Sequence, residues 1–548
     1  MVVDKGVKSI ASREEQLGKL QSETFDILIV GGGATGAGVA LDAATRGLRV
    51  ALIEGKDFSS GTSSRSTKLI HGGLRYLEMA VKKLDIAQYR LVTEALKERA
   101  ILFDIAPHLT RPIPIATPLY KILELPYFFT GLKLYDWLSG GTSLGPSSFL
   151  GRDEVIEKFD FLKQEGLKGA VQYFDGQFDD ARMNVAIILT AAIEGAAVAN
   201  YVEAVGFVKD EDKISGMEVR DVLTGESWVT RAKVVVNATG PFADNILRMD
   251  DPEAESLVEG SSGTHIFLDK RFSSSEAGIL IPKTSDGRIL FLLPWEGGTL
   301  AGTTDVPCGV SSNPKPTADD VDYILEHLRN YLSFPVERSD VRSAWTGIRP
   351  LVKNADIDET ADLSRDHVIK LSASGLLTVV GGKWTTYRKM AEEAVDEALL
   401  HLGVECEKPS RTAKTKLVGS ATYTRDLIPS LMEDFHLDED VAKHLSHSYG
   451  GRAVNVAKIA EGEYRERLAE GYPYIKAEVV YAVEHEYACT PLDVLGRRVR
   501  LSFVNQRAAI DALPKVVKIM SSLFSWSDER VSVELENGER ALADYEVF

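Results

Sequence analysis

A glycine-rich stretch near the start of the chain constrains its fold more than any other feature. Residues 26–54 read DILIVGGGATGAGVALDAATRGLRVALIE, and this alternation of apolar and helical runs predicts a β-α-β unit. Gly31 permits a tight turn, Gly33 lets the backbone approach a pyrophosphate, and Gly36 lets the helix pack closely on the first strand. Glu54, at the end of the second strand, can accept a hydrogen bond from a ribose hydroxyl. The stretch therefore predicts a dinucleotide site at a helix N-terminus.

The composition is that of a globular protein with several domains. The 548 residues are 44% hydrophobic and 26% charged, which suffices for two or three hydrophobic cores. The net charge of −18 argues against a nucleic-acid partner, because such partners are usually bound by a basic face. Cys308, Cys406 and Cys489 form no CxxC pair, so we expect reduced thiols and no bound metal. We find no apolar run of about 18 residues that could cross a bilayer, and no clear signal or transit peptide at the start.

The middle of the chain predicts a second sheet, inserted into the α/β domain. Apolar and β-branched runs between turn residues indicate strands at 217–222, 227–236, 265–268, 288–293 and 299–302. From about residue 407 onwards, charges alternate around apolar positions in a helical pattern. Arg497 and Arg498, in this C-terminal part, could touch a membrane, but we favour pairing with nearby acids.

Two further strand–glycine turns decide between NAD and FAD. Residues 233–240 read KVVVNATG, a strand that stops at a small-residue turn, where Gly240 would allow a second backbone approach to the cofactor. Residues 375–386 read GLLTVVGGKWTT and precede a helix, whose N-terminal dipole could stabilise the negative charge of a reduced flavin ring. A nicotinamide enzyme needs no such C-terminal glycine pair, so the pattern favours FAD over NAD.

Long motifs spread over nearly the whole chain resemble the FAD-dependent glycerol-3-phosphate dehydrogenases, and the mitochondrial branch most closely. The motifs are SGTSSRSTKLIHGGLRYLE (60–78), YFDGQFDDARMN (173–184), NATGPFAD (237–244), LPWEGGTLAGTTD (293–305), WTGIRPLV (345–352), SRDHVI (364–369), GGKWTTYRKMAEEA (381–394) and EHEYACTPLDVLGRRVRL (484–501). Animal mitochondrial members carry calcium-binding EF-hands after this region. This sequence contains no EF-hand loop, so we expect no calcium regulation.

The resemblance implies an α/β fold: an FAD-binding Rossmann-like domain, an inserted antiparallel-sheet substrate domain and a mostly helical C-terminal domain. We expect an oxidoreductase domain over 22–400, with FAD-binding parts at 22–115, 175–260 and 340–400, cap parts at 116–174 and 261–339, and the C-terminal domain at 401–548.

The implied reaction is oxidation of sn-glycerol 3-phosphate to dihydroxyacetone phosphate by hydride transfer to FAD, with the electrons passing to ubiquinone. An oxidase that reduces oxygen to hydrogen peroxide would share the same motifs. A non-catalytic FAD-binding scaffold is a further alternative. It would be expected to have lost one of the arginines or the Gly-Gly-Lys turn, which this chain retains.

The substrate phosphate carries nearly two negative charges and calls for cationic side chains. Arginine is best suited, since its planar fork donates two parallel hydrogen bonds. The predicted substrate-binding residues, all within the shared motifs, are Arg75, Tyr76, Arg349, Arg365 and Lys383.

Removal of the hydride leaves a hydroxyl proton to be accepted, and histidine is the usual base near neutral pH. His265 is our candidate base, and His71 is a candidate contact of the flavin or substrate. An arginine, Arg349, could also serve in catalysis. Hydroxyls and amides of a Gly/Ser loop are natural anion donors. Besides the glycine unit, the predicted cofactor contacts are Thr62, Ser63, Lys68, His71, Gly240, Gly382, Lys383 and Thr385.

Ubiquinone is dissolved in the membrane, so such an enzyme must reach the bilayer surface. The aromatic segment from Leu119 to Leu138 is our candidate contact, with Lys121 and Lys133 able to extend to lipid headgroups. The alternative is that this segment belongs to the core under the substrate domain. We expect peripheral attachment to the mitochondrial inner membrane, or to a bacterial cytoplasmic membrane, and the chain could form a homodimer.

Overall fold

The computed structural model describes residues 10–73, 86–121, 125–274, 276–282, 284, 287–353, 367–404 and 408–547. The first sheet has the strand order β17-β18-β10-β1-β2-β7, and β9 and β8 extend it from β10. Neighbours from β18 to β7 are parallel, which is the arrangement expected of β-α-β units. Its strands are β1 (Thr24–Val30), β2 (Val50–Glu54), β7 (Ala197–Asn200), β8 (Val202–Asp210), β9 (Lys213–Asp221), β10 (Ser227–Asn237), β17 (His367–Leu371) and β18 (Leu376–Gly381).

The second sheet has the order β15-β11-β14-β13-β12-β4-β6-β3, with β16 paired to β11 and β5 to β6. All its pairings are antiparallel except that between β12 and β4. Its strands are β3 (Leu69–Ile70), β4 (Thr110–Leu119), β5 (Ser148–Gly151), β6 (Gly169–Phe178), β11 (Val258–Leu268), β12 (Gly278–Ile281), β13 (Leu290–Trp295), β14 (Gly298–Gly302), β15 (Val306–Cys308) and β16 (Val341–Val352).

Helices cover the first sheet and build most of the C-terminal part. They are α1 (Arg13–Ser22), α2 (Ala34–Thr45), α3 (Ile86–Ile105), α4 (Leu125–Ser139), α5 (Arg152–Lys158), α6 (Asp180–Ile193), α7 (Ala243–Asp250), α8 (Ala318–Tyr331), α9 (Tyr387–Leu402), α10 (Leu427–Phe435), α11 (Glu439–Tyr449), α12 (Ala453–Ile459), α13 (Lys476–His485), α14 (Leu501–Val504), α15 (Gln506–Phe524) and α16 (Asp528–Leu542). The glycine helix α2 packs between α6 and α9 in one apolar cluster. Within the described ranges, no helix combines the length and apolarity needed to cross a bilayer.

The architecture confirms the predicted fold class, but two of the expected domain boundaries do not coincide with the sheets. Strand β4 runs through residue 115, and β16 begins just after residue 340, yet both strands lie in the second sheet. The first sheet resumes only at β17. The pairing partners of β4 and β16 are far away in sequence, so composition alone could not assign these two strands to a sheet.

Candidate active site

The glycine turn after β1 is as tight as the sequence predicts. Gly31 has φ +113°, and a Cβ there would lie 2.6 Å from the carbonyl oxygen of Ala238. A Cβ on Gly36 would lie 1.9 Å from the carbonyl oxygen of Gly31. Gly33 directly precedes α2, whose first N–H groups lack helical partners and present a positive dipole end. The turn therefore has room only for glycine, and its free backbone N–H groups form a cradle for an anion.

The ends of three parallel strands meet at this turn. Val30 of β1 pairs with Asn237 of β10, and Asn237 pairs with Thr378 of β18. Their carboxyl ends lie at one edge of the sheet, which is where open α/β sheets bind ligands. Gly240 follows β10 with φ +56°, and a Cβ there would have no atom within 4 Å. Space for a ligand thus exists next to the glycine turn.

Glu54 is held against the glycine turn by two backbone groups. Its Oε2 accepts the Gly32 N–H at 2.7 Å, and its Oε1 accepts the Lys56 N–H at 2.9 Å. Burial raises the pKa of Glu54, although these two hydrogen bonds favour the ionised form. The carboxylate is therefore fixed at the place predicted for ribose recognition, and that contact itself stays a prediction.

Thr62 and Ser63 tie three parts of the chain together. The Ser63 Oγ accepts the Ala34 N–H at 2.9 Å, at the start of α2. The Ser63 carbonyl accepts the Trp384 indole N–H at 2.8 Å. The Thr62 hydroxyl donates to the carbonyl of Ile348 on β16 at 2.6 Å. The cofactor loop, by which we mean residues 57–68, thus connects the glycine turn with the Gly-Gly-Lys turn and the second sheet.

The Gly-Gly-Lys turn lies beside His71. Gly382 has φ +73°, and a Cβ there would lie 2.4 Å from the sulfur of Met390. The His71 backbone N–H donates to the Thr385 hydroxyl at 3.3 Å. The amino group of Lys383 is buried at the same turn. The structure therefore brings His71, Lys383 and Thr385 into one region, and their contacts with a ligand stay predictions.

His265 is a buried neutral histidine on β11. Its ring stacks on Trp345 with centroids 5.6 Å apart, and its Nε2 is hydrogen-bonded to the Thr67 hydroxyl at 2.9 Å. Its Nδ1 is buried and has no hydrogen-bond partner among the described residues. Burial, with added repulsion from Lys68 and Arg349, holds the pKa of His265 well below its usual value. The lowered pKa keeps the ring neutral and makes it a weaker base, and whichever ring nitrogen lacks the hydrogen can accept a proton.

Arg349 projects from β16 across the neighbouring strand β11. Its guanidinium donates to the carbonyls of Ser262 at 3.2 Å and Thr304 at 3.1 Å, and it lies 3.3 Å from the Asp305 carboxylate. The side chain keeps 24% of its surface exposed. A Cβ on Gly263 would lie 2.5 Å from its Nη2, so the glycine makes room for the guanidinium. Both terminal nitrogens of Arg349 thus already donate to protein acceptors, and its role as a phosphate clamp stays a prediction.

Lys68 differs from its prediction as a cofactor contact. Its ammonium is 0% exposed, lies 2.7 Å from the Asp180 carboxylate and donates to the Ser64 carbonyl at 2.7 Å. Burial lowers the pKa of Lys68 to about 7, partly offset by Asp180. This geometry disfavours a direct contact between its amino group and a cofactor.

Arg75, Tyr76 and Arg365 lie outside the described residues, so their roles stay predictions. Sequence reasoning missed Thr67 and Asp305, which hold the candidate base and the candidate clamp. Both belong to shared motifs, STKLIHGG and AGTTD, and membership of these motifs was the available signal.

The fold and the site define a class, the flavin-dependent oxidoreductases. The family model described as FAD dependent oxidoreductase matches residues 26–388. A second model, described as the C-terminal domain of alpha-glycerophosphate oxidase, matches residues 410–531. The cofactor is therefore FAD, and the site fits it: the glycine cradle excludes side chains, and space adjoins Gly240.

Curated relatives and a solved structure identify the family within this class of oxidoreductases. The mitochondrial glycerol-3-phosphate dehydrogenase of Homo sapiens is 48% identical over 97% of this chain and 75% of its own length. The probable mitochondrial enzyme of Dictyostelium discoideum is 46% identical over 94% of this chain and 84% of its own. The solved glycerol-3-phosphate dehydrogenase of Bacillus halodurans, complexed with FAD, is 32% identical with a TM-score of 0.80 over 98% of both chains. The chain belongs to this family of FAD-dependent glycerol-3-phosphate dehydrogenases.

Proposed function

We propose that this protein oxidises sn-glycerol 3-phosphate to dihydroxyacetone phosphate. The observation that carries the proposal is that both candidate substrate groups adjoin the cofactor loop. His265 is hydrogen-bonded to Thr67, and Arg349 directly follows Ile348, whose carbonyl binds Thr62. The second sheet therefore places the candidate clamp Arg349 and the candidate base His265 next to the cofactor loop. The same loop accepts the first N–H group of α2.

The residues have distinct roles in the proposed reaction. FAD supplies the two-electron acceptor when it is bound. Arg349, whose side chain is 24% exposed, holds the substrate phosphate, and Lys383 adds a second cation. The neutral His265 accepts the proton of the C2 hydroxyl as the substrate is oxidised. We propose Arg75, Tyr76 and Arg365 as further phosphate ligands and His71 as a contact at the flavin.

An anaerobic visible spectrum tests the proposal. Addition of sn-glycerol 3-phosphate should bleach the flavin absorbance of the purified protein, because the bound flavin is reduced. Glycerol, which lacks the phosphate, is the control and should leave the spectrum unchanged at the same concentration. A flavin band that ignores sn-glycerol 3-phosphate would refute the substrate assignment while leaving the cofactor intact.

We further propose ubiquinone as the electron acceptor. The names of the curated relatives, which are dehydrogenases, support this proposal. The C-terminal family model is nevertheless described from an oxidase, so oxygen is the competing acceptor. Mixing the reduced protein with a soluble quinone analogue should restore the flavin colour faster than air does. Rapid recovery in air with formation of hydrogen peroxide would identify an oxidase instead.

We propose that helix α4 and its neighbour α3 form the contact with a membrane surface. Helix α4 buries Leu132 and Tyr135 in the core. Its inner face is therefore part of the core, which was the alternative to a membrane contact for this segment. Its outer face exposes 71% of Trp137 next to the partly exposed Lys133. Helix α3 contacts α4 and exposes 69% of Ile86. An exposed tryptophan beside a lysine is typical of a surface that enters lipid headgroups.

Liposome sedimentation tests this contact. Trp137→Ser should reduce binding to liposomes without changing activity with a soluble dye, because the inner face of α4 remains intact. Leu400→Ser is the matched control, since Leu400 on α9 is 73% exposed at a different place. Equal binding of both variants would exclude Trp137 from the contact. Curated relatives are named mitochondrial, and we propose peripheral attachment to the mitochondrial inner membrane for this chain.

A further inference from the structure

Three arginines from one short stretch of the C-terminal part are buried behind the cofactor loop. Arg497 and Arg498 end a π-helix over Asp493–Arg498, and Arg500 follows with φ +64°. Their exposed fractions are 6%, 0% and 2%. Buried arginines require partners that compensate their charge, and here those partners lie mainly in the FAD-binding part of the chain.

The first two arginines hold Asp57, at the start of the cofactor loop. Arg498 donates both terminal nitrogens to the Asp57 carboxylate, at 2.8 and 3.0 Å. Arg497 donates its Nε to the same carboxylate and pairs with Asp493 at 2.5 Å. Burial raises the pKa of Asp57, but the two guanidinium groups outweigh it and hold the pKa below its usual value. Asp57 is therefore an ionised anchor for the loop.

The third arginine holds the far end of the same loop. Its Nη2 donates to the Ser64 carbonyl at 2.8 Å and to the Asp180 carboxylate at 3.1 Å. Lys68 binds the same carbonyl and the same carboxylate from the other side. The guanidinium also stacks on Phe503, 4.0 Å from the ring centroid. The carbonyl of Ser64 is thus fixed by two cations.

Ser64 directly follows Ser63, whose hydroxyl accepts the Ala34 N–H at the start of α2. We propose that the three arginines, here called the arginine clamp, are positioning residues for FAD. By fixing Asp57 and the Ser64 carbonyl, the clamp holds Ser63 and Thr62 against the site of the cofactor. The C-terminal domain then acts on cofactor affinity without touching the cofactor. The inference rests on FAD binding at the glycine turn and is independent of the proposed substrate.

The rate of FAD release from the holoprotein tests the proposed role of the arginine clamp. Arg500→Met should accelerate release about tenfold or more, because it removes the hydrogen bonds from Arg500 to the Ser64 carbonyl and to the Asp180 carboxylate. Arg500→Lys keeps the charge and should give a smaller acceleration. Release is followed by the rise in flavin fluorescence after dilution, and unfolding is measured separately as the Tm of each variant.

Arg467→Met is the matched control. Arg467 pairs with Asp438 and Asp440 inside the C-terminal domain, away from the cofactor loop. It should lower Tm without accelerating FAD release. Equal release rates for Arg500→Met and wild type, or equal acceleration by Arg467→Met, would overturn the proposal.

A double-mutant cycle with Ser63→Ala tests whether the clamp acts through the loop. Each single substitution should accelerate FAD release, and the double variant should release FAD little faster than the faster single one, because both break one chain of contacts. If the two substitutions multiply each other's effect on the rate of FAD release, Arg500 does not act through Ser63. The same cycle with Arg500→Lys serves if Arg500→Met fails to fold.

Discussion

The substitution Gly263→Ala tests the phosphate clamp without removing any polar group. Gly263 on β11 lies opposite the guanidinium of Arg349. A Cβ there would lie 2.5 Å from Nη2 and 2.8 Å from both Cζ and Nη1. Ordinary contact begins at 3.4 Å, so the guanidinium must move by about 1 Å. The clash involves the end of a flexible side chain, so the two strands can keep their pairing.

The size of the effect follows from the hydrogen bonds that this movement breaks. The bonds from Arg349 to the Ser262 and Thr304 carbonyls measure 3.2 and 3.1 Å, and a further 1 Å, on the order of the required shift, removes them. In the proposed function, the displaced guanidinium would no longer meet the substrate phosphate. Loss of one hydrogen bond between the guanidinium and the phosphate would cost about 1.5–3 kcal/mol, which corresponds to about a 10- to 150-fold loss in kcat/KM.

Steady-state kinetics with a soluble dye measure this loss. We expect KM for sn-glycerol 3-phosphate to rise, while the FAD content stays close to that of wild type. Gly206→Ala is the control, because a Cβ at that strand position has no atom within 4 Å. An unchanged kcat/KM in Gly263→Ala, with a guanidinium shown to have moved, would refute Arg349 as the clamp.

Two other substitutions probe the cofactor cradle and the C-terminal domain. Gly36→Ala should abolish FAD retention, measured as the ratio of flavin to protein absorbance, because its Cβ would lie 1.9 Å from the Gly31 carbonyl; Gly18→Ala, with no atom within 4 Å, should retain FAD. His444→Gln tests a buried ion pair: burial lowers the pKa of His444, but Glu478 at 2.6 Å outweighs it, and the net pKa is raised. Protonated His444 therefore adds stability below its ordinary pKa of about 6.5. That stability is lost as pH rises through the raised pKa, so the Tm difference between wild type and His444→Gln should shrink as pH rises above about 6.5. A difference that grows with pH would contradict the pairing.

The sequence predicted the parts of the fold that depend on neighbouring residues. The β-α-β unit was predictable because its glycines, its helix and the acid at its end all lie within residues 26–54. The structure ends β2 at Glu54 and begins α2 at Ala34, as the pattern requires. Of the strands predicted for the second sheet, those at 265–268, 288–293 and 299–302 lie there, but 217–222 and 227–236 belong to the first sheet as β9 and β10. Sheet membership was not predictable because strand pairing, such as the parallel pairing of β12 with β4, joins distant segments.

In the candidate site, too, local features were predictable from the sequence and contacts between distant segments were not. His265 and Arg349 were predictable as chemical types within motifs, whereas their supports Thr67 and Asp305 depend on pairing across the second sheet. The pairing of Lys68 was not predicted, because its partner Asp180 lies 112 residues further along the chain. Pairing of Arg497 and Arg498 with acids is confirmed, although the shared acid is the distant Asp57.

The arginine clamp also sets an order of events while the chain is being made. Asp57 and Arg497 are 440 residues apart. At a translation rate of about 5–20 residues per second, Asp57 is made about 20–90 s before its partner. Until then its carboxylate must stay hydrated, since an unpaired charge is costly to bury. The cofactor loop can therefore take its final form only after the chain has been made as far as Arg497.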